Sequence, residues 1–334
     1  MADDPWHASG KIHAPRSRPG RPSTPSPWVA VSDDRVWAWD PTVGLLALAP
    51  IEPDAHTLLF HSPLAPDGRT ITYLRYYEGS RNPDVPAERR FVRWDLVSDE
   101  RSDGPLLERW PSFEEQVYPA PDGRRLSIEF THPTVDGPRH GRYVLAGEGE
   151  EEVLPLADPL RFNFHGPSAH FSADGRFLAL GHRAVDGPEN DWLSITDLTT
   201  GEHRRHPGLC PAGSGAWSPD GSRLLVRADP HSQFAILDVA SGTATPLRSL
   251  EMRNRSRGVS FWEEAIGWAD SSRVIAYGSG GSGRLVLSVL DIARGEQHDV
   301  LDLPVPGGGG QGFRGIFMTP AVVQADPSSI THRR

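Results

Sequence analysis

"WSPDGSRLLV" at 217–226 places a tight turn, Ser218–Gly221, between a tryptophan and a short apolar run. Near copies of the turn stand at 65–68 ("APDG"), 120–123 ("APDG") and 172–175 ("SADG"), and a worn fifth copy is "WADSSRVIAY" at 268–277. A unit recurring about every fifty residues is the mark of a repeat architecture. Asp-Gly between two extended segments predicts a type I′ hairpin, in which both central residues take positive φ. The runs that follow the turns are "TITYLRYY", "RLSIEF", "FLALG", "RLLVRA" and "RVIAYG". They are too short for helices and rich in β-branched residues, so they read as strands buried on both faces.

A second marker follows later in each unit: "WDLVSDERSDG" at 94–104, "TDLTTGE" at 196–202, "LDVASGT" at 237–243 and "LDIARGE" at 290–296. Each ends a strand on an aspartate and continues into small or polar turn residues. "WDPTVG" at 39–44 belongs to the same set, whereas "RYVLAGEGEEEVLPL" at 142–156 keeps the two strands and loses the aspartate. One repeat is therefore four strands, a to d. The Asp-Gly turn joins a to b and the second marker joins c to d.

Four-stranded units repeated six times with no helical period predict an all-β fold, a six-bladed β-propeller. The units run over 56–109, 110–160, 161–208, 209–252 and 253–306, and the sixth combines both ends of the chain. "WVAVS", "RVWAWD" and "LLALAP" near the start supply strands b, c and d without a strand a, and "GFRGIFMTP" at 312–320 is a strand a without a blade. Pairing the C-terminal strand with the N-terminal blade, beside Trp28–Ser32, closes the ring and removes two sheet edges. The propeller spans 28–324, between a Pro/Ser/Arg-rich tail over 1–27, expected to be disordered, and a short C-terminal tail, 325–334.

The Trp-Ser-Pro-Asp-Gly-Ser-Arg-Leu-Leu-Val form at 217–226, with its looser copies, resembles the WD40-like (PD40) repeats of the TolB-like six-bladed propeller superfamily. The resemblance implies the fold and says little about function. TolB itself is a periplasmic partner of an envelope lipoprotein, with an additional N-terminal domain. The start of this chain has neither that domain nor a secretory signal, so the envelope role is not expected to transfer. The prolyl-oligopeptidase relatives add a hydrolase with a Gly-x-Ser-x-Gly elbow, and no such elbow occurs in this sequence.

Composition narrows the function classes. A net charge of −10 argues against nucleic acid as a partner, because phosphate contacts need clustered positive charge. There is no apolar run of membrane-spanning length, so no membrane partner is expected. The N-terminus is acidic at its start and lacks an apolar core of the signal-peptide kind. Cys210 is the single cysteine, which fits a reducing compartment, and the expected location is cytoplasmic. Lys11 is the only lysine, so a Schiff-base or phosphate-loop lysine has nowhere else to stand.

Ligands of propellers meet the protein at the mouth of the central channel, where the segments leading into each strand a gather. Aligned on Trp217, "FEEQVYPAPDG" sets Glu114 and Glu115 level with Glu263 and Glu264 of "WEEAIGWADSS". Those blades lie three apart in a ring of six, so two acidic pairs are expected to face each other across the funnel. Such carboxylates can take a divalent cation through oxygen, or share a proton as acid and base; no other cofactor is predicted. His165 stands just before the same level. Arg255 and Arg257, with Arg253, lead into the funnel and suit an anionic group, and Trp262 offers an aromatic platform beside Glu263. The alternatives for the glutamates are solvated loop positions or ion pairs with these arginines.

Other apparent motifs fail on context. "GSGGSG" at 278–283 is followed by a strand rather than a helix, so it is a hairpin loop and not a pyrophosphate site. "HRRH" at 203–206 lacks a third ligand in order and is placed in an exposed c–d hairpin. The recurring tryptophans, Trp217 and Trp268 among them, are expected to pack between blades. Two functions remain open. One is a binding or scaffold module recognising a protein, peptide or small-molecule ligand at the funnel face. The other is a small-molecule enzyme (a lyase, cyclase or hydrolase) using the funnel's acidic and histidine residues.

Overall fold

The computed structural model describes residues 18–23, 26, 28–32, 36–40, 44–48, 56–58, 64–65, 68–76, 89–106, 116–120, 124–131, 140–146, 151–154, 168–182, 191–213, 215–228, 234–247, 259–280, 284–304 and 313–318. They form six separate sheets. Sheet 1 holds β1 (Arg18–Pro19), β2 (Trp28–Ser32), β3 (Val36–Asp40) and β4 (Gly44–Ala47), joined by the last strand of the chain. Sheet 2 is β5 (His56–Leu58), β6 (Thr70–Tyr76), β7 (Arg89–Asp95) and β8 (Arg101–Leu106). Sheet 3 is β9 (Gln116–Pro119), β10 (Arg125–Thr131), β11 (His140–Ala146) and β12 (Glu151–Leu154). Sheet 4 is β13 (Ser168–Phe171), β14 (Phe177–His182), β15 (Trp192–Asp197) and β16 (His203–Pro207). Sheet 5 is β17 (Cys210–Pro211), β18 (Arg223–Arg227), β19 (Phe234–Asp238) and β20 (Ala244–Pro246). Sheet 6 is β21 (Val259–Trp268), β22 (Arg273–Gly280), β23 (Arg284–Asp291) and β24 (Glu296–Pro304). The final strand, β25 (Phe313–Met318), pairs antiparallel with β2, Trp28 opposite Met318, at the place its sequence suggested.

Sheets 2 to 6 are antiparallel meanders with strands in chain order, so every sheet has two ends. The first-to-second and third-to-fourth turns share one end, and the segments leading into the first strands share the other. Burial follows the apolar runs. Central strands β14, β15, β18 and β19 are buried on both faces, while outer β16 and β20 are largely exposed. Both faces are covered because successive sheets pack against one another. One continuous core joins Leu193 and Ile195 of sheet 4, Leu224, Leu225 and Ile236 of sheet 5 and Val274 of sheet 6. A second joins sheets 1 and 2 through Val29, Val36, Ile71 and Tyr73, and a third joins sheets 3 and 4 through Leu126, Tyr143 and Leu178.

Tryptophans stitch neighbouring sheets. Trp217 Nε1–H donates to the carbonyl of His170 at 2.8 Å, and Trp268 Nε1–H donates to that of Ala216 at 2.9 Å. Each buried indole thus spends its polar atom on the inner strand before it, as packing alone would not require. Between sheets 5 and 6 the backbones nearly touch, with Gly215 and Gly267 forming a parallel bridge.

Two expectations change. The Asp-Gly turn is not type I′, because Asp99 is the one non-glycine residue with positive φ among the described residues. Asp174 and Asp220 therefore keep negative φ, while Gly175 and Gly221 take φ of 72° and 68°. Gly221 N–H closes on the Ser218 carbonyl at 2.9 Å, and Gly175 does the same on Ser172. That is a type I turn followed by a left-handed glycine, the form that suits Ser, Pro, Asp and Gly in this order. The side chains explain the choice. The Ser218 hydroxyl donates to Asp220 Oδ1 at 2.6 Å and accepts Arg223 N–H at 2.9 Å.

The second change concerns the N-terminal segment expected to be disordered. Its residues Arg18 and Pro19 form β1, which lies parallel on the outer edge of β4, Arg18 opposite Leu46. Ser26 is fully buried and its N–H donates to the Gly68 carbonyl at 2.7 Å. An open sheet edge offers a row of backbone partners, and proline is tolerated on such an edge strand.

Candidate functional site

Two turns meet at one end of sheets 4, 5 and 6, and their side chains are best seen in sheet 4. Arg176, directly after the Ser172–Gly175 turn, reaches Asp197 at the end of β15: Nε and Nη2 donate to Oδ2 at 2.9 and 2.7 Å. Leu198 N–H donates to the Arg176 carbonyl at 2.8 Å, lacing one turn to the other. Asp197 Oδ1 accepts the Thr199 N–H at 2.9 Å and its hydroxyl at 2.6 Å. The Arg176 guanidinium, then the Thr199 hydroxyl, hold this buried carboxyl well below the usual carboxylate range. Asp197 in turn raises the pKa of Arg176, with Asp174 adding its charge.

Sheet 2 repeats the device. Arg69 Nε donates to Asp95 Oδ2 at 2.5 Å, and Leu96 N–H donates to the Arg69 carbonyl at 2.8 Å. Burial works against ionisation of Asp95, but bonds from Ser98 N–H, Arg69 and Val97 N–H outweigh it and lower its pKa. In sheet 6 each aspartate has its own arginine: Arg273 Nε bonds Asp270 Oδ2 at 2.5 Å, and Arg294 lies 4.0 Å from Asp291.

Sheet 5 differs by one residue. Ser222 stands where sheets 2 and 4 have Arg69 and Arg176. Its backbone does the same work: Ser222 N–H donates to Asp220 Oδ1 at 3.1 Å, and Val239 N–H donates to the Ser222 carbonyl at 3.0 Å. Asp238 accepts Ser241 N–H at 2.7 Å, the main cause of its lowered pKa. Asp220 is lowered against its burial, chiefly by the Ser218 hydroxyl. Neither aspartate has an ion-pair partner among the described residues. Arg223 acts on both through its charge, but its guanidinium lies over the Trp268 ring, 4.5 Å from the centroid, and donates to the Ser271 carbonyl.

Both aspartates line a cleft of about 290 Å3 between sheets 4 and 5. Its apolar wall is Phe177, Ile195 and Val239. Arg204 crosses it, donating from Nη1 to the carbonyls of Val239 (3.2 Å) and Ala240 (2.9 Å) and from Nη2 to Glu202 Oε1 (2.9 Å). Of the four lining carboxylates, Asp197 and Glu202 are matched by arginines. Asp220 and Asp238 carry the surplus charge. Among the described residues no three His, Cys, Asp or Glu side chains are grouped to hold a metal ion.

Glu114, Glu115, His165, Arg255 and Arg257 fall outside the described residues. Trp262, Glu263 and Glu264 are on β21, whose pairing with β22 slips three times in ten residues, including between Trp262 and Glu264. Trp262 pairs with Gly278 and Glu264 with Tyr277, so Glu263 is the extra residue of a bulge. His203 and His206 are in β16, the fourth strand of the c–d hairpin where they were expected, but both are half-buried rather than exposed. His203 Nδ1 lies 3.1 Å from Thr196 Oγ1, and His206 Nε2 is buried without a partner. Burial, then the charge of Arg204, lowers the pKa of His206.

The cleft escaped sequence reading, although its signal is present. "APDGR" at 65–69 and "SADGR" at 172–176 end on arginine where "SPDGS" at 218–222 ends on serine.

No family model and no curated protein matches the chain. Solved structures do share its fold. TolB from Acinetobacter baumannii superposes with a TM-score of 0.55 at 16% identity, over 89% of this chain and 68% of that one. The acylaminoacyl peptidase of Pyrococcus horikoshii gives 0.50 at 15% identity, over 84% of this chain and 45% of the peptidase. An acylaminoacyl peptidase in complex with Z-Gly-Gly-Phe-chloromethyl ketone gives 0.50 at 13% identity, over 85% and 46%. The chain thus spans less than half of the peptidases. At such identities the likeness is one of fold: an all-β, TolB-like propeller.

Proposed function

We propose that the chain is a six-bladed propeller, closed where β25 joins sheet 1, and that it is a binding or scaffold module. Its ligand, a protein, peptide or small molecule, meets the funnel face formed by Glu114, Glu115, His165, Arg255, Arg257, Trp262, Glu263 and Glu264. Closure is supported by the pairing of β25 with β2 and by its position next to β21 of sheet 6. The observation that carries the binding reading is the register slip in β21 between Trp262 and Glu264, one of three along that strand. Bulges re-aim side chains and gather next to functional sites, and this one falls on residues that the funnel alignment selects. A divalent cation is a fitting ligand for opposed carboxylates.

The test is thermal. Purified protein is melted with and without calcium or magnesium and with a panel of metabolites, beside the Glu115→Ala/Glu264→Ala double variant. A ligand-induced rise in Tm that the double variant lacks supports the funnel, and an equal rise in both moves the site elsewhere. Recovery of one stoichiometric protein partner by the intact chain, lost with the double variant, supports the scaffold role. Turnover of a metabolite overturns it in favour of a small-molecule enzyme.

A further inference from the structure

The ion pair that joins the two turns in sheets 2 and 4 is absent from sheet 5, and the cleft opens there. In sheet 4, the Arg176 guanidinium bonds Asp197 through Nε and Nη2, and the Arg176 N–H donates to Asp174 Oδ1. In sheet 5 the corresponding pair, Asp238 and Asp220, is built on the same backbone bonds but faces Ser222. What is missing is a guanidinium, and the space beside the two carboxylates is the cleft of about 290 Å3. Phe177, Ile195 and Val239 offer an apolar wall to a methylene stem. The two arginines that line the cleft are already committed, Arg176 to Asp197 and Arg204 to Glu202 and two carbonyls.

We propose that this cleft binds an arginine side chain presented by an extended basic segment of a partner protein. The incoming guanidinium would do for Asp238 what that of Arg176 does within the chain for Asp197, with the Asp220 carboxylate lining the same cleft. Planar donors suit carboxylates at two oxygens better than an ammonium does. The cleft is lined by none of the residues assigned to the funnel, so the proposal stands independently of the funnel reading.

The experiment measures binding of acetyl-Gly-Arg-Gly-amide to the full chain by isothermal titration at low ionic strength, because exposed charges are screened by salt. Ser222→Arg supplies the missing group from within and is expected to weaken binding at least tenfold. It should leave Tm unchanged or higher, since Arg176 occupies the same backbone setting. Asp238→Asn should weaken binding similarly, and Glu264→Ala in the funnel should leave it intact. A lysine-for-arginine peptide is expected to bind more weakly. No measurable binding to the parent chain, or equal binding to Ser222→Arg, overturns the proposal. Argininamide binding as tightly as the peptide would replace the protein partner with a small guanidinium compound and overturn that part of it.

Discussion

Replacing Gly267 with alanine tests the contact between the inner strands of sheets 5 and 6. A Cβ at this position would lie 2.6 Å from Gly215 Cα, 2.6 Å from its carbonyl oxygen and 2.8 Å from its carbonyl carbon. All three are backbone atoms, so no side chain can swing aside and the two sheets must part. Parting them lengthens the bond from Trp268 N–H to the Gly215 carbonyl (3.2 Å) and that from Trp268 Nε1–H to the Ala216 carbonyl (2.9 Å). Overpacking of a tight core costs about 1–3 kcal/mol, and a weakened buried hydrogen bond adds about 1 kcal/mol. The sum is about 3 kcal/mol. At about 2 °C per kcal/mol for a domain of this size, Tm should fall by about 6 °C in a calorimetric or fluorescence melt. Gly295→Ala is the control. Nothing lies within 4 Å of its added Cβ and only its φ of 66° opposes the change, at about 1–2 kcal/mol. If Gly267→Ala melts no lower than Gly295→Ala, the inner strands are not in contact and the arrangement of sheets built on them is wrong.

Two titrations give further checks. Asp197→Asn removes the charge that pairs with Arg176 and should cost about 1–3 kcal/mol at neutral pH. The native carboxyl is held below the unfolded value of 3.8, so its contribution is complete above that pH and disappears as pH falls through the lowered value. Urea midpoints of the parent and Asp197→Asn should therefore converge in strong acid; a difference that persists there sinks the ion-pair account. His206 has the opposite charge type. Burial holds it neutral below the unfolded value of 6.5, so the fold loses stability as pH drops from 6.5 through the lowered value. His206→Gln should remove that slope from a pH series of Tm, and an unchanged slope would place the acid sensitivity elsewhere.

Much of the fold was legible because local chemistry repeats in it. The Ser-x-Asp-Gly turns and the strand-ending aspartates are satisfied by bonds within a few residues, so their sequence pattern marks where each sheet turns. The apolar runs between them mark the strands, and "GFRGIFMTP" finds its place beside β2 because both are strands that would otherwise have an unpaired edge. The turn type was misread for a local reason too: Asp-Gly alone suggests positive φ at both residues, and the serine hydroxyl ahead of it decides otherwise. The edge pairing of Arg18–Pro19 had no such signature, because a parallel partner 28 positions away, Arg18 on Leu46, leaves no periodic trace.

Sequence by itself therefore determined where most strands and their tight turns fall, because these depend on neighbours along the chain. Only the tertiary structure decided that Asp220 and Asp238 share a cleft with Phe177 and Arg204 of the preceding sheet. It alone placed a bulge at Glu263 and brought Gly215 against Gly267. These depend on atoms far apart in the chain but a few ångströms apart in space.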